Sequence, residues 1–287
     1  MDPWQTAKNT ALRKAFETRR RLAVSREDPV NVFDVCAAIG VEVRFLDCPS
    51  LEGMYCREPR TAIVLPSTRH RPPGRVAFTC AHELGHHELG HGTRVDEYLA
   101  GGTTDQRRSP EEVAADVFAA HLLMPRQAIL AAAKAYHLDI KSITPEQTFL
   151  IAGLFSVGYS ALLGQLTFGL QLLPRGRFDG LKRHQPKSIR SVLYPPSAKS
   201  GLVVFHDDYP SATVDMEVGD FVLAQEAFAD EPALLTSHPR HDEQTVWEAA
   251  CVGQERLKLA NGREVAIRVS RRGYVGAWRY RFLPEEE

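Results

Sequence analysis

Cysteine is scarce in this sequence, and the few cysteines show no pairing pattern. The chain has 287 residues and five cysteines, an odd number, and none of them form a C-x-x-C pair. This excludes the disulfide framework of small secreted domains and fits a reducing compartment. The N-terminal residues lack the apolar core of a signal peptide. We therefore expect a cytoplasmic protein.

The sequence also lacks an excess of charge and a long hydrophobic run. Its formal net charge is -1, so the chain lacks the overall positive charge that would favour binding to nucleic acid. No uninterrupted apolar run approaches the roughly 20 residues of a membrane helix, and we expect no membrane partner. Hydrophobic content of 44% and charged content of 25% are typical of a globular protein. The length allows one large domain or two of ordinary size.

The clearest motif is H-E-x-x-H at residues 82–86. On a helix, His82 and His86 stand one turn apart on the same face, so both can reach one metal ion. Imidazole nitrogens suit zinc, and a catalytic zinc keeps one position open for water. Glu83 is placed to take a proton from that water as a general base. A lone match arises by chance, but the largely apolar residues 75–81 favour a helix buried along one face.

A second copy of the motif, H-E-L-G-H at residues 87–91, makes the register ambiguous. The apolar run leads into the first copy, so His82 and His86 are the predicted ligands. His91 would lie roughly on the opposite face of a continuous helix. The metzincin spacing is not met, because Leu89 stands where that pattern requires glycine. We therefore expect His91 at the helix end or behind the ligands, not on the metal.

A second helix is predicted to carry the third ligand. Ser109 is a good N-cap and Pro110 a good first helical residue. Glu112 and Asp116 are four residues apart and share a face. Glu112 would complete a site of two histidines and one glutamate, and Asp116 could orient a ligating histidine. The alternative is a solvated acidic first turn, which fits Glu111 better.

Together the two motifs resemble those of the ImmA/IrrE-type metallopeptidases. The resemblance rests on residues 75–86, on Leu89-Gly90-His91 and on E-x-x-A-D-x-F-A-A-x-L-L-M-P from Glu112 to Pro125. It implies three zinc ligands and one catalytic glutamate, which are His82, His86, Glu112 and Glu83 respectively. Many members have a second glutamate where Ala114 stands and asparagine where Asp116 stands, and neither position is an expected ligand. Manganese or iron could occupy the same donors, because metal choice also follows availability.

Before the first motif, the pattern predicts an amphipathic helix over 4–26, a second helix over 30–39, and strands over 41–46, 51–56 and 62–65. The three arginines at 19–21 are expected to be a solvated helix end. In zincin-like proteases, substrate docks as an added strand on the edge of such a sheet, so residues 53–55 are a candidate cleft rim or a plain structural strand. Residues 92–108 are expected to be a loop, in which Tyr98 is a candidate oxyanion donor or simply exposed.

The predicted fold class is α+β, in four parts. A zincin-like metallopeptidase core covers 1–130 and a helical lobe resembling a helix-turn-helix covers 131–172. The second helix of that lobe, near 159–168, has no Arg or Lys, so we do not expect it to read DNA. A basic linker containing Pro and Gly follows over 173–196. A β-rich domain, a sensor or a substrate-docking module, covers 197–287, with a hairpin at Asn261-Gly262 and a closing strand over 276–282.

Three functions follow from these observations. The first is a zinc endopeptidase of the cytoplasm, whose substrate the resemblance implies to be a helix-turn-helix repressor of stress or mobile-element genes. The second is a non-proteolytic regulator that binds a partner protein or DNA through the basic linker and helical lobe. Intact Glu83 argues against it, since binding alone needs no general base. The third is a toxin-antitoxin or phage-defence component with the same active site.

Overall fold

The computed structural model describes residues 2–97, 109–205, 213–225, 228–259 and 261–284. Its helices are α1 (Pro3–Arg21), α2 (Val32–Ala38), α3 (Pro73–Leu89), α4 (Pro110–Leu123), α5 (Arg126–Ala135), α6 (Pro145–Leu154), α7 (Tyr159–Gly164), α8 (Arg175–Lys182) and α9 (Pro186–Leu193). Its strands are β1 (Glu42–Leu46), β2 (Leu51–Cys56), β3 (Ala62–Pro66), β4 (Arg94–Glu97), β5 (Leu202–Phe205), β6 (Thr213–Glu217), β7 (Phe221–Ala224), β8 (Leu235–His241), β9 (Gln244–Ala249), β10 (Gly253–Lys258), β11 (Glu264–Ser270) and β12 (Gly276–Ala277). The architecture is a mixture of helices and three small sheets, which is the α+β class expected from the sequence.

The chain divides into two compact units, each assembled from several chain segments. Unit 1 contains residues 1–129, 155–161 and 275–279, and unit 2 contains residues 130–154, 162–274 and 280–287. The segment 173–196, expected to be a linker, contains the helices α8 and α9. Pro174 and Pro186 stand at the starts of these helices, where proline's fixed φ is favourable. They therefore do not interrupt the helical structure of this segment.

Unit 1 has a five-stranded sheet in the order β12-β1-β3-β2-β4. Strands β1 and β3 are parallel, and the other neighbours are antiparallel. The expectation that 276–282 closes the C-terminal sheet is wrong, because β12 pairs with β1 instead. The reason is packing of Trp278, whose ring stacks on Phe33 at 4.3 Å and lies 6.2 Å from Phe45.

The last turn of helix α1 contains a buried arginine, Arg19, whereas all three arginines at 19–21 were expected to be solvated. Arg19 is only 1% exposed, and its guanidinium donates to the backbone oxygens of Leu122, Ser25 and Asp28. Burial lowers the pKa of Arg19 to about 10, and the nearby charge of Asp28 opposes that shift. The side chain thereby joins α1 to the end of α4.

Unit 2 contains the sheets β5-β7-β9-β8 and β10-β11-β6. The first sheet packs around a buried cluster of Tyr194, Leu202, Phe221, Leu223 and Val246. The hairpin expected at Asn261-Gly262 is formed by β10 and β11, and Gly262 adopts a φ of 81°.

One helical stretch, Pro110–Ala135, is long and apolar enough by composition to cross a membrane, with a mean hydropathy of 1.2. A second, over 145–154 and 159–169, passes only if its bent pair of helices is counted as one span. Within the first stretch, 56% of the apolar window is buried inside the protein, and Met124 and Pro125 separate α4 from α5. Core helices of globular proteins have the same composition, so this is weak evidence for a membrane span.

Candidate metal centre

Helix α3 presents the two histidines of the first motif. It has proline in its first turn and ends at Gly90, which adopts the left-handed conformation with a φ of 76°. His82 is 9% exposed and His86 is fully buried. The two Nε2 atoms lie 3.1 Å apart, so both rings point at the same place.

Helix α4 brings Glu112 to the same place. The N-cap Ser109 accepts a hydrogen bond from the backbone N–H of Glu112 at 3.2 Å, which fixes the first turn. The Glu112 oxygens lie 3.2 Å from Nε2 of His82 and 3.6 Å from Nε2 of His86. This approach of α4 to α3 needs a small residue between them, since a Cβ on Gly85 would lie 3.0 Å from the Cα of Ala115.

The donor set fits a divalent metal ion. His82, His86 and Glu112 each offer one ligand atom, and these atoms all lie within 4.8 Å of one another. Two imidazoles and one carboxylate with a further position free is the arrangement of catalytic zinc sites. Among the described residues, no other group of three or more His, Cys, Asp and Glu side chains lies close enough together to hold an ion.

A second residue lies behind each histidine. Asp116 Oδ1 is 3.0 Å from Nδ1 of His82, and Nδ1 of His91 is 2.8 Å from Nδ1 of His86. Both contacts involve the ring nitrogen that faces away from the candidate metal position. Such contacts fix the orientation and tautomer of a ligating imidazole. The structure thus places Asp116 and His91 where a supporting role, the one anticipated from the sequence, is chemically feasible.

The candidate ligands His82 and Glu112 shift each other's pKa. Burial alone would lower the pKa of His82, but hydrogen bonds to Asp116 and Glu112 raise that pKa to about 10. Hydrogen bonds from His82 and His86 hold the pKa of Glu112 well below its usual range. The site therefore favours a positive charge between two histidines and a carboxylate, which a divalent cation would supply.

Glu83 differs from the candidate ligands because it has no hydrogen-bond partner within the part of the chain that the structure describes. It is completely buried, and among the described residues neither of its carboxylate oxygens has a hydrogen-bond partner. Burial raises the pKa of Glu83 to about 8, although the nearby His82 opposes the shift. A buried polar group without a partner destabilises the fold, so its presence beside a candidate metal position points to chemistry.

Two features of the site were not anticipated. Gly53 on β2 lies against Glu83, since a Cβ there would be 2.5 Å from Glu83 Oε1. Asp96 on β4 places Oδ2 3.6 Å from Nε2 of His82. The sequence pattern predicts a loop over 92–108, which includes Asp96, whereas residues 94–97 form a strand paired with β2. Four residues with one apolar side chain give no alternation from which to predict a strand.

Of the two alternatives for residues 53–55, a cleft rim on a sheet edge or a plain structural strand, the structure has the second. Residues 53–55 belong to β2, which lies between β3 and β4 and is not an edge strand. The edge beside the metal position is β4. Tyr98, the candidate oxyanion donor, lies outside the described residues.

A comparison with protein families supports the metallopeptidase interpretation of these motifs. Residues 36–167 match the family model described as the IrrE N-terminal-like domain, a peptidase family. The matched segment contains both helices that carry the candidate ligands. No curated protein matches the chain.

Proposed function

We propose that the chain is a cytoplasmic zinc-dependent endopeptidase that cleaves a DNA-binding transcriptional repressor, because residues 36–167 match the family model of the IrrE N-terminal-like domain. The observation that carries this proposal is the convergence of His82, His86 and Glu112 beside a buried, unpartnered Glu83. The repressor, and its place in a stress, mobile-element or phage-defence response, follow from the family resemblance.

Zinc is the proposed ion, held by His82, His86 and Glu112. Manganese or iron could use the same nitrogen and oxygen donors. When bound, such an ion supplies a Lewis acid that polarises the substrate carbonyl and makes water more acidic. The remaining chemistry belongs to side chains of this protein.

Glu83 is the proposed general base. Its oxygens are free to accept the proton of the attacking water, and burial makes its carboxylate a stronger base than an exposed one. The same carboxyl group then donates this proton to the nitrogen of the leaving amine. Asp116 keeps His82 in place by accepting a hydrogen bond from its Nδ1.

The free edge of β4 is the proposed docking position for the substrate. On one side β4 pairs with β2, and none of the described strands pairs with its other side. An extended peptide can add to such an edge through backbone hydrogen bonds. Since Asp96 on β4 lies beside His82, a peptide on this edge would run past the metal position.

The test is the substitution Glu83→Gln, assayed with candidate repressors and zinc. We expect the rate of cleavage to fall by about 10²- to 10⁴-fold, because the general base is lost. The zinc content, measured by mass spectrometry, should stay unchanged since Glu83 is not a ligand. Glu17→Gln, at a largely exposed glutamate on α1, is the matched control. Cleavage by Glu83→Gln at the wild-type rate would exclude the mechanism.

A further inference from the structure

Strand β4 carries an acidic side chain into the metal centre that the mechanism above does not use. Asp96 lies 3.6 Å from His82, and its side chain is 33% exposed. Side chains alternate along a strand, so Arg94 and Asp96 share one face. Arg94 contacts Glu111 at the start of α4, while Val95 on the other face is 57% exposed. Asp96 therefore faces the site and remains accessible from solvent.

Asp96 on β4 differs from Glu52 on the neighbouring strand β2 in its charge partners. On β2, Glu52 accepts hydrogen bonds from Arg71 at 3.1 Å and from Arg75 at 2.6 Å. Asp96 has an ion pair only with His82 among the described residues. Arg94, which lies on the same face of β4 as Asp96, is paired with Glu111. The carboxylate of Asp96 thus forms no ion pair with a lysine or arginine among the described residues.

An added strand would bring a side chain directly opposite Asp96. Directly opposed residues of antiparallel strands have Cβ atoms about 4.5–5.5 Å apart, and opposite charges at such positions attract. Asp96 pairs with Gly53 of β2, and Gly53 lies against Glu83, so the substrate residue opposite Asp96 would also lie near the reacting carboxylate.

From this geometry we infer that Asp96 selects a lysine or arginine in the substrate, at the position that pairs with it beside the scissile bond. Asp96 is thus a specificity-determining residue, and the substrate segment is a basic peptide in extended conformation. The inference rests on the proposed function, because it assumes that a peptide docks on β4.

Peptide binding to the Glu83→Gln protein tests the inference without cleavage. The probes are otherwise neutral fluorescent peptides that carry Lys, Gln or Glu at one scanned position. We expect one position at which the Lys peptide binds about tenfold more tightly than the Gln peptide, the size expected for a half-buried ion pair. The added substitution Asp96→Asn should remove this preference, and Asp96→Lys should reverse it in favour of Glu.

The control is Asp47→Asn, which removes the same charge from an exposed aspartate elsewhere in unit 1. It should leave the preference for Lys unchanged, and zinc content and melting temperature verify that all variants are folded. The ratio of kcat/KM for the Lys and Gln peptides, measured with Glu83 intact, should follow the binding ratio.

The outcomes separate the two proposals. A preference for Lys that survives Asp96→Asn overturns the role of Asp96 and leaves the peptidase intact. A preference for Lys that depends on Asp96, without cleavage of any peptide by the zinc-loaded wild type, supports the role of Asp96 and overturns the peptidase. Equal binding of the Lys, Gln and Glu peptides at every position overturns the inference.

Discussion

At the scale of single residues, Glu83, the proposed general base, depends on the absence of a side chain at residue 53. Gly53 leaves room for Glu83, since a Cβ at this position would lie 2.5 Å from Glu83 Oε1 and 2.6 Å from Thr79 Cγ2. Both contacts are closer than real Cβ atoms come to their neighbours. The buried carboxylate can therefore occupy its position only if residue 53 is glycine.

Gly53→Ala should accordingly impair catalysis without removing the metal. We expect kcat to fall by about 10²-fold, because a displacement of the base by about 1 Å has an effect of this size. Steady-state kinetics with zinc content measured in parallel will check this. Gly153→Ala is the control, since nothing lies within 4 Å of a Cβ at that helical position. Normal kcat in Gly53→Ala would show that Glu83 tolerates the displacement.

The candidate ligands could be predicted from sequence because each lies in a local motif and the two motifs together resemble those of a known family. His82 and His86 are one helical turn apart, and Ser109 caps the helix on which Glu112 stands. Gly53 and Asp96 could not be predicted in this way. Gly53 lies near Glu83 because β2 packs against α3, and Asp96 lies near His82 because β4 pairs with β2. Local patterns carry no information over such sequence separations.

At the scale of elements, the same distinction explains which strands were predicted. Strand β2 has the predicted limits, Leu51–Cys56, and the hairpin of β10 and β11 follows from the turn at Asn261-Gly262. Strands β4 and β12 have four and two residues, and both exist because a longer strand pairs with them. Short edge strands are defined by their partners more than by their own sequence.

The start of α4 matters more for the site than for stability. Ser109→Ala removes the side chain that accepts from the backbone N–H of Glu112, and the loss of such a cap costs about 1 kcal/mol. Because the frayed turn carries Glu112, we expect zinc affinity to fall as well. Chemical denaturation and competition with a zinc-binding dye measure the two effects.

Thr144→Ala provides the comparison for this prediction. Thr144 caps α6 in the same way, by accepting from the backbone N–H of Gln147 at 3.2 Å, but α6 carries no candidate ligand. It should lower stability by a similar amount and leave zinc affinity unchanged. Equal zinc affinity in both variants would mean that Glu112 does not need the cap.

At the scale of the whole molecule, metal binding should raise the free energy of unfolding. An ion that binds only the folded chain stabilises it by about 2.7 kcal/mol at a concentration 100 times its Kd. We therefore expect the melting temperature of the metal-free protein to rise with added zinc, and the rise to disappear in Glu112→Gln. Differential scanning calorimetry measures both. A melting temperature independent of zinc would argue against a site at His82, His86 and Glu112.

Strand β12 has a consequence for the synthesis of the protein. The sheet beside the metal position takes up Gly276–Ala277 next to β1, whereas its other described strands end by Glu97. At the ribosomal rate of about 5–20 residues per second, the last strand emerges roughly 10–40 s after β4. A nascent chain therefore carries both halves of the candidate zinc site before its sheet can be completed. Completion of the sheet is thus delayed until Gly276–Ala277 have left the ribosome.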